Sequence, residues 1–270
     1  LEEDKKHIGE QLHELTAMIT AIEGMQKHTF KGFEQPHYLL LACNREQREV
    51  TLQEVSELSI SIRRKAELHP LGVKVYTKEV LPFTKLRTYR ELLFPILKDE
   101  VLSEQPKEAA KQLWASGMFA FLQECHKETA PFYFRLEVKA QKPQTEYAKK
   151  LAMALEQSSA YQLINGTKEY EVEIRLIALK EGGYDAFLRL RTIPMKRFSY
   201  RKNAIAMSIH PATAAMMMHL AKPYLKENGK EVLYMSYQTN EEIKKILDSF
   251  SYKELYRKEK IETSDSAINS

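Results

Sequence analysis

The stretch Tyr170–Tyr200 reads YEVEIRLIALKEGGYDAFLRLRTIPMKRFSY, and it decides the fold. Two alternating runs meet at Gly182-Gly183, which is the pattern of a β-hairpin. On the first strand Val172, Ile174 and Leu176 share one face, while Glu171, Glu173 and Arg175 share the other. On the second, Tyr184, Ala186, Leu188 and Leu190 oppose Phe187, Arg189 and Arg191. Upstream, Phe132–Val138 alternates in the same way and predicts a third strand. The segment Thr145–Ala160 carries Tyr147, Ala148, Leu151, Ala152 and Leu155 at helical spacing and predicts a helix. Strand, helix and hairpin together make a small α+β module.

Working outward from the hairpin, residues 131–202 hold 14 Lys and Arg against 8 Asp and Glu. The module is therefore basic by +6, and the rest of the chain is slightly acidic, given a net charge of +4 overall. A local basic surplus is the footprint of a polyanion contact, although a solvated face also produces one. The basic residues concentrate at the hairpin and its exit: Lys168, Arg175, Arg189, Arg191, Arg197, Arg201 and Lys202, with Phe198 and Tyr200 interleaved. Arginine can hold phosphate, and an interleaved aromatic ring can stack on a base. Two readings stay open, an RNA surface and a face that pairs with acids of a neighbouring domain.

The run YEVEIRL…FLRL…RFSYRK, followed by Ser208-Ile209-His210-Pro211-Ala212-Thr213-Ala214-Ala215, resembles the THUMP-containing RNA methyltransferases. The resemblance is specific over about residues 131–225, weaker over 70–130, and absent before. It implies a THUMP module that grips structured RNA, tRNA in particular. A Rossmann-like domain would follow it and transfer a methyl group from S-adenosylmethionine. In that family a glycine loop after the next strand lies beneath the cofactor, because the backbone must come close to it. Here the sequence reads Val232-Leu233-Tyr234-Met235-Ser236-Tyr237-Gln238-Thr239-Asn240, without a glycine. Glu231–Tyr237 then predicts a strand, Asn240–Phe250 a helix and Tyr252–Ile261 another strand. That order resembles the last elements of a methyltransferase sheet, with a seam at about residues 228–231. S-adenosylmethionine is therefore expected of the parent family and not of this chain as it stands, and catalytic residues are not assigned.

The expected fold class is α+β: an N-terminal helical region, a ferredoxin-like and THUMP-like module, and a remnant of a Rossmann-like methyltransferase domain. The boundaries are residues 1–69 helical, 70–130 ferredoxin-like, 131–202 THUMP-like, and 203–270 a linker helix with a partial strand–helix–strand. Within the first region, Ile8, Leu12, Leu15, Ile19, Ile22 and Met25 predict an amphipathic helix over Glu2–His28. It either packs on its own domain or serves self-association or a protein partner. His37–Leu68 is read as a second helical stretch, broken near Asn44–Thr51. The boundary is placed at His69-Pro70-Leu71-Gly72, with a strand over Val73–Leu81 after it. Thr88–Leu102 and Pro106–His126 are read as helices, and Trp114, Phe119 and Phe121 in the latter as core.

At 43% apolar and 10% aromatic residues the chain can bury ordinary cores, which excludes global disorder. Its two cysteines, Cys43 and Cys125, have no metal-ligand spacing, so a reducing cytoplasmic setting is expected. No apolar run approaches the ~20 residues that cross a bilayer. The charged start and the leading Leu suggest a trimmed chain with no signal peptide. Neither HExxH nor GxSxG occurs, and His210 beside Pro211 reads as a helix start. A non-catalytic RNA-binding protein and a helical protein-interaction module remain the alternatives.

Overall fold

A computed structural model describes residues 28–58, 65–97, 100–128, 131–166, 169–199 and 209–228, with positions 7, 8, 11, 14 and 15 near the start. The strands are β1 (His37–Ala42), β2 (Ala66–His69), β3 (Gly72–Thr77), β4 (Glu91–Pro95), β5 (Phe132–Lys139), β6 (Leu163–Asn165), β7 (Val172–Ala178) and β8 (Tyr184–Leu190). The helices are α1 (Arg48–Ser56), α2 (Pro106–Ala115), α3 (Met118–Cys125), α4 (Thr145–Ser158) and α5 (Pro211–Asn228). The mixed α+β class holds. Among the described residues eight strands join one sheet in the order β2-β3-β1-β4-β8-β7-β5-β6.

The hairpin forms as the alternation dictates, with register from Val172↔Leu190 to Ala178↔Tyr184. Its turn spans Leu179–Gly183 and closes with the Leu179 N–H donating to the Gly183 carbonyl at 3.0 Å. Gly182 and Gly183 adopt φ of 97° and 74°, where L side chains are strained. A Cβ on Gly183 would also lie 2.3 Å from Val101 Cγ1 and 2.7 Å from the Leu102 carbonyl oxygen. That contact seats the turn against residues 101–102, where Leu102 and Tyr184 exchange backbone hydrogen bonds of 2.9 and 3.0 Å. On its other side β7 pairs in parallel with β5, and β5 pairs in parallel with β6. Helix α4 forms the crossover between β5 and β6 and packs against α2.

Strand β8 pairs with β4 at Phe94↔Leu188 and Pro95↔Phe187, which joins the hairpin module to the front of the chain. The rest of the sheet is antiparallel: β4 with β1, β1 with β3, and β3 with β2. One continuous core lies beneath the helices and draws on both halves, with Leu39, Leu41, Val73, Val75 and Phe94 alongside Phe132, Phe134, Leu151, Ile174 and Leu188. Full burial of side chains of this size contributes roughly 1.5–3 kcal/mol each relative to exposure. A small second cluster, Leu40, Leu93 and Phe187, sits on the opposite face of the sheet.

Several expectations for residues 37–126 are corrected. His37–Ala42 is a strand and not helix, and it occupies the middle of the sheet between β3 and β4. Leu39, Leu40 and Leu41 are all buried, so this strand is apolar on both faces and shows no alternation. Glu91–Pro95, expected within a helix, is likewise a strand with Leu92, Leu93 and Phe94 buried. The boundary expected at His69–Gly72 is the turn of the β2–β3 hairpin. Gly72 is needed there because a Cβ would lie 2.0 Å from the Leu41 carbonyl oxygen. The helix expected over Pro106–His126 is divided at Gly117, whose φ is 81°. Trp114, Phe119 and Phe121 pack against the core, as read from the sequence.

Of the expected helix Glu2–His28, positions 7, 8, 11, 14 and 15 are helical, and His28 is not. The remainder lies outside the described residues, as do Arg201, Lys202 and the strand–helix–strand expected over 231–261. Helix α5 runs through Pro223 to Asn228. Among the described residues no helix is long and apolar enough to cross a membrane.

Candidate nucleic-acid interface

Because side chains alternate along a strand, register assigns the charged residues of the module to faces. Arg135 lies opposite Glu173, and Glu173 opposite Arg189. In the next row Glu137 lies opposite Arg175, and Arg175 opposite Phe187. These residues share the sheet face away from the main core. Polar on paper, this face is nonetheless covered along β7, where Glu173 and Arg175 are buried.

Arg175 is the centre of an ion-pair network. Its Nη1 donates to Glu91 Oε2, and its Nη2 donates to Glu173 Oε1 and, at 2.7 Å, to Glu137 Oε2. Its Nε–H is buried without an acceptor among the described residues. Burial and the nearby Arg189 pull its pKa down to about 10, which leaves it charged at neutral pH. Burial pushes the Glu173 carboxyl up, and the neighbouring Glu137 carboxyl adds to that shift. Arg189 Nη1 approaches Glu173 at 3.5 Å and Glu91 at 3.7 Å, while Lys139 Nζ reaches Glu91 at 3.6 Å. Three cations, Arg175, Arg189 and Lys139, thus face three carboxylates, Glu91, Glu137 and Glu173.

Arg197 is also committed internally. Its guanidinium donates to the carbonyls of Leu86, Tyr89 and Arg90 and stacks 3.8 Å over the Tyr89 ring. The expectation of an exposed basic surface is corrected at both positions: Arg175 and Arg197 are buried side chains that brace the fold. Arg189 is divided, with its side chain 42% exposed but engaged by two acids. Lys168, Tyr200, Arg201 and Lys202 lie outside the described residues.

Arg191 remains exposed, and the sequence reading missed its partners. Its guanidinium carbon stands 4.5 Å over the ring of Tyr170, and that of Arg135, also exposed, stands 5.5 Å from the same ring. The hairpin positions the group: the Arg191 N–H donates to the Glu171 carbonyl at 2.8 Å, and the Glu171 N–H to the Tyr133 carbonyl at 3.0 Å. Two guanidiniums that flank a half-buried tyrosine are held in place and keep their outward N–H donors for phosphate oxygens. The signal was present in Phe132-Tyr133-Phe134-Arg135, whose alternation puts Arg135 on the polar face.

Beneath this group the module is tied to the start of the described chain. His28 donates its backbone N–H to the Glu171 carboxylate, shares a 2.6 Å hydrogen bond between Nδ1 and Glu171 Oε2, and stacks 4.2 Å from Phe132. The Lys31 N–H donates to the Cys125 carbonyl at 2.9 Å, and the Lys127 N–H to the Thr29 carbonyl at 3.1 Å. Burial holds the His126 imidazole below its ordinary value, and it sits between the Leu122 carbonyl and Thr192 Oγ1, each at 2.8 Å.

No protein-family model matches the chain, and no curated protein matches its sequence. Solved structures similar to it include the following two. TrmN from Thermus thermophilus is 19% identical with a TM-score of 0.46, over 68% of this chain and 54% of that one. A 4-thiouridine synthetase in complex with RNA and ATP is 13% identical with a TM-score of 0.37, over 58% of this chain and 42% of that one. The similarity spans about half the length of these proteins.

A loop that cradles S-adenosylmethionine needs glycine where a strand passes into a helix. Among the described residues glycine does other work: Gly72 and Gly183 close hairpins, and Gly117 divides α2 from α3. Gly166 follows β6, and among the described residues no helix stands between it and β7. The described residues therefore do not fit that cofactor.

Proposed function

We propose that this chain is the RNA-holding part of an RNA-modifying protein and that it binds structured RNA, tRNA by expectation, through phosphates. The observation that carries the reading is the exposed stack of Arg135, Tyr170 and Arg191. It fixes two guanidiniums at the edge of a basic module, and phosphate contacts of this kind position an RNA without reading its sequence. The resemblance of residues 131–225 to THUMP-containing methyltransferases supports the same reading and suggests methyl transfer as the chemistry of the parent protein. That transfer, with S-adenosylmethionine as donor, belongs to residues other than those described.

The test is a filter-binding salt series with a tRNA transcript. Arg135→Ala with Arg191→Ala should flatten the log–log salt dependence by on the order of one unit for each arginine removed. Thermal stability should change little, because both side chains are exposed. An unaltered slope in the folded double variant would sink the reading. Arg189→Ala serves as the comparison: its two acids take up part of its charge, so its effect on the slope should be the smaller one.

A further inference from the structure

Across the seam between β4 and β8 the same sheet face continues onto β1 and β3, and there it changes character. Tyr38 and Tyr76 stand directly opposite each other in the β1–β3 register, with ring centroids 4.8 Å apart and planes at 46°. Both rings are open to solvent, at 47% and 37% exposure. Lysine ammoniums occupy their faces: Lys74 Nζ lies 4.2 Å from the centroid of Tyr38, and Lys65 Nζ lies 5.6 Å from that of Tyr76. The surface is concave. A trough runs past these rings with Leu40, Phe187, His69 and Asp185 in its lining. His69 and Asp185 influence each other's charge across it, although their strands stand four places apart in the sheet.

A cross-strand tyrosine pair stabilises a sheet by itself. That role does not require both rings to be solvent-exposed in a trough, each with an ammonium on its face. We infer that this platform takes a single-stranded segment of nucleic acid, with successive bases stacked on Tyr38 and Tyr76 and the adjoining phosphates met by Lys74 and Lys65. A base is a flat π surface that can replace the ammonium over the ring, and the long lysine side chain can then swing to an adjoining phosphate. Sheets that bind single strands do so by aromatic stacking, with cations following the backbone. The inference rests on the RNA reading above and adds a second contact of a different kind. The arginine group holds phosphates of a folded RNA, whereas the tyrosine platform holds unpaired bases.

The two contacts are separable by experiment on the full chain. The probe is a fluorescein-labelled ten-nucleotide oligoadenylate, with binding read by anisotropy at two or more salt concentrations. Tyr38→Ala with Tyr76→Ala should weaken oligoadenylate binding by about tenfold or more per stacked base and leave the salt slope unchanged. Tyr38→Phe with Tyr76→Phe should retain the affinity, which separates stacking from a hydroxyl contact and guards against a folding defect. Lys74→Gln with Lys65→Gln should instead flatten the slope. If the folded alanine variant binds oligoadenylate as wild type does, the platform is wrong, even where the Arg135 and Arg191 variant confirms the tRNA contact. Binding of fluorescein-labelled polyglutamate in place of oligoadenylate would assign the trough to an acidic protein segment and overturn the inference. If wild type binds neither tRNA nor oligoadenylate, the underlying RNA reading falls with it.

Discussion

A guanidinium surrounded by carboxylates, as Arg175 is by Glu91, Glu137 and Glu173, gains Coulomb energy that low local polarity strengthens, and pays for it in lost hydration. Removing the cation alone leaves three carboxylates with only Arg189 and Lys139, at 3.5–3.7 Å, to balance them. Arg175→Ala should therefore destabilise the fold by roughly 3–5 kcal/mol in a denaturant titration. Arg189→Ala, at the exposed rim of the same network, should cost no more than about 1 kcal/mol. The sign of the pH dependence follows from Glu173. Its carboxyl is raised in the folded state, so the fold binds its proton more tightly than the unfolded chain does. The penalty for charging Glu173 grows as pH rises through its folded value and is relieved as pH falls. The Arg175→Ala variant should consequently recover part of its lost stability on going from pH 7 towards pH 5. Glu124 behaves in the opposite sense. Burial alone would raise it, but hydrogen bonds from His37 and from the Glu34 and Gln35 N–H groups hold it below the usual carboxylate range. Its contribution is complete above the unfolded value near pH ~4.3 and is lost as pH falls through the folded one. Glu124→Gln should flatten the acid limb of a stability–pH curve, and an unchanged limb would count against this account.

At the scale of elements, the turn of the β7–β8 hairpin is a tightly constrained piece of backbone. Gly183→Ala places a Cβ both in a left-handed conformation and against Val101 and Leu102. A loss of about 1–3 kcal/mol is expected from the backbone alone, and more once the contact with residues 101–102 is forced apart. Gly182→Ala, with its nearest neighbour the flexible Glu104 side chain at 3.5 Å, should lose less. Thermal melts of the two variants give the comparison. This hairpin was legible in the sequence because its core face alternates and its glycines sit where two strands must reverse. Strand β1 was not, since Leu39-Leu40-Leu41 is buried on both sides and a buried strand has the same apolar run as a buried helix turn. The arginine readings divide for a related reason. Alternation correctly gave the face of Arg175 and Arg189, but it could not tell that strands β4 and β5 bring Glu91 and Glu137 over that face. The pair Tyr38 and Tyr76 was out of reach for the same cause, because it exists only once β1 and β3 are aligned.

For the whole molecule, the decisive fact is that the sheet has no division between residues 37–42 and the strands that follow. A chain that starts at residue 71 lacks the strand between β3 and β4, and with it Leu39 and Leu41 of the core. It should fail to give a cooperative melt, whereas a chain that starts at residue 28 should keep one. A folded fragment 71–228 would refute the continuity of the core. The narrowness of the β4–β8 seam bears on how the protein is made. Strand β4 is complete at Pro95, but its partner β8 ends at Leu190. At about 5–20 residues per second, a ribosome needs on the order of 5–20 s to deliver that partner. During the interval Leu92, Leu93 and Phe94 lie along an open strand edge, which is a template for pairing with another chain. Nascent chains halted near residue 130 should accordingly self-associate or recruit a chaperone, as followed by light scattering or by crosslinking on stalled ribosomes. Full-length chains released from the ribosome, in which β8 has docked, should do neither.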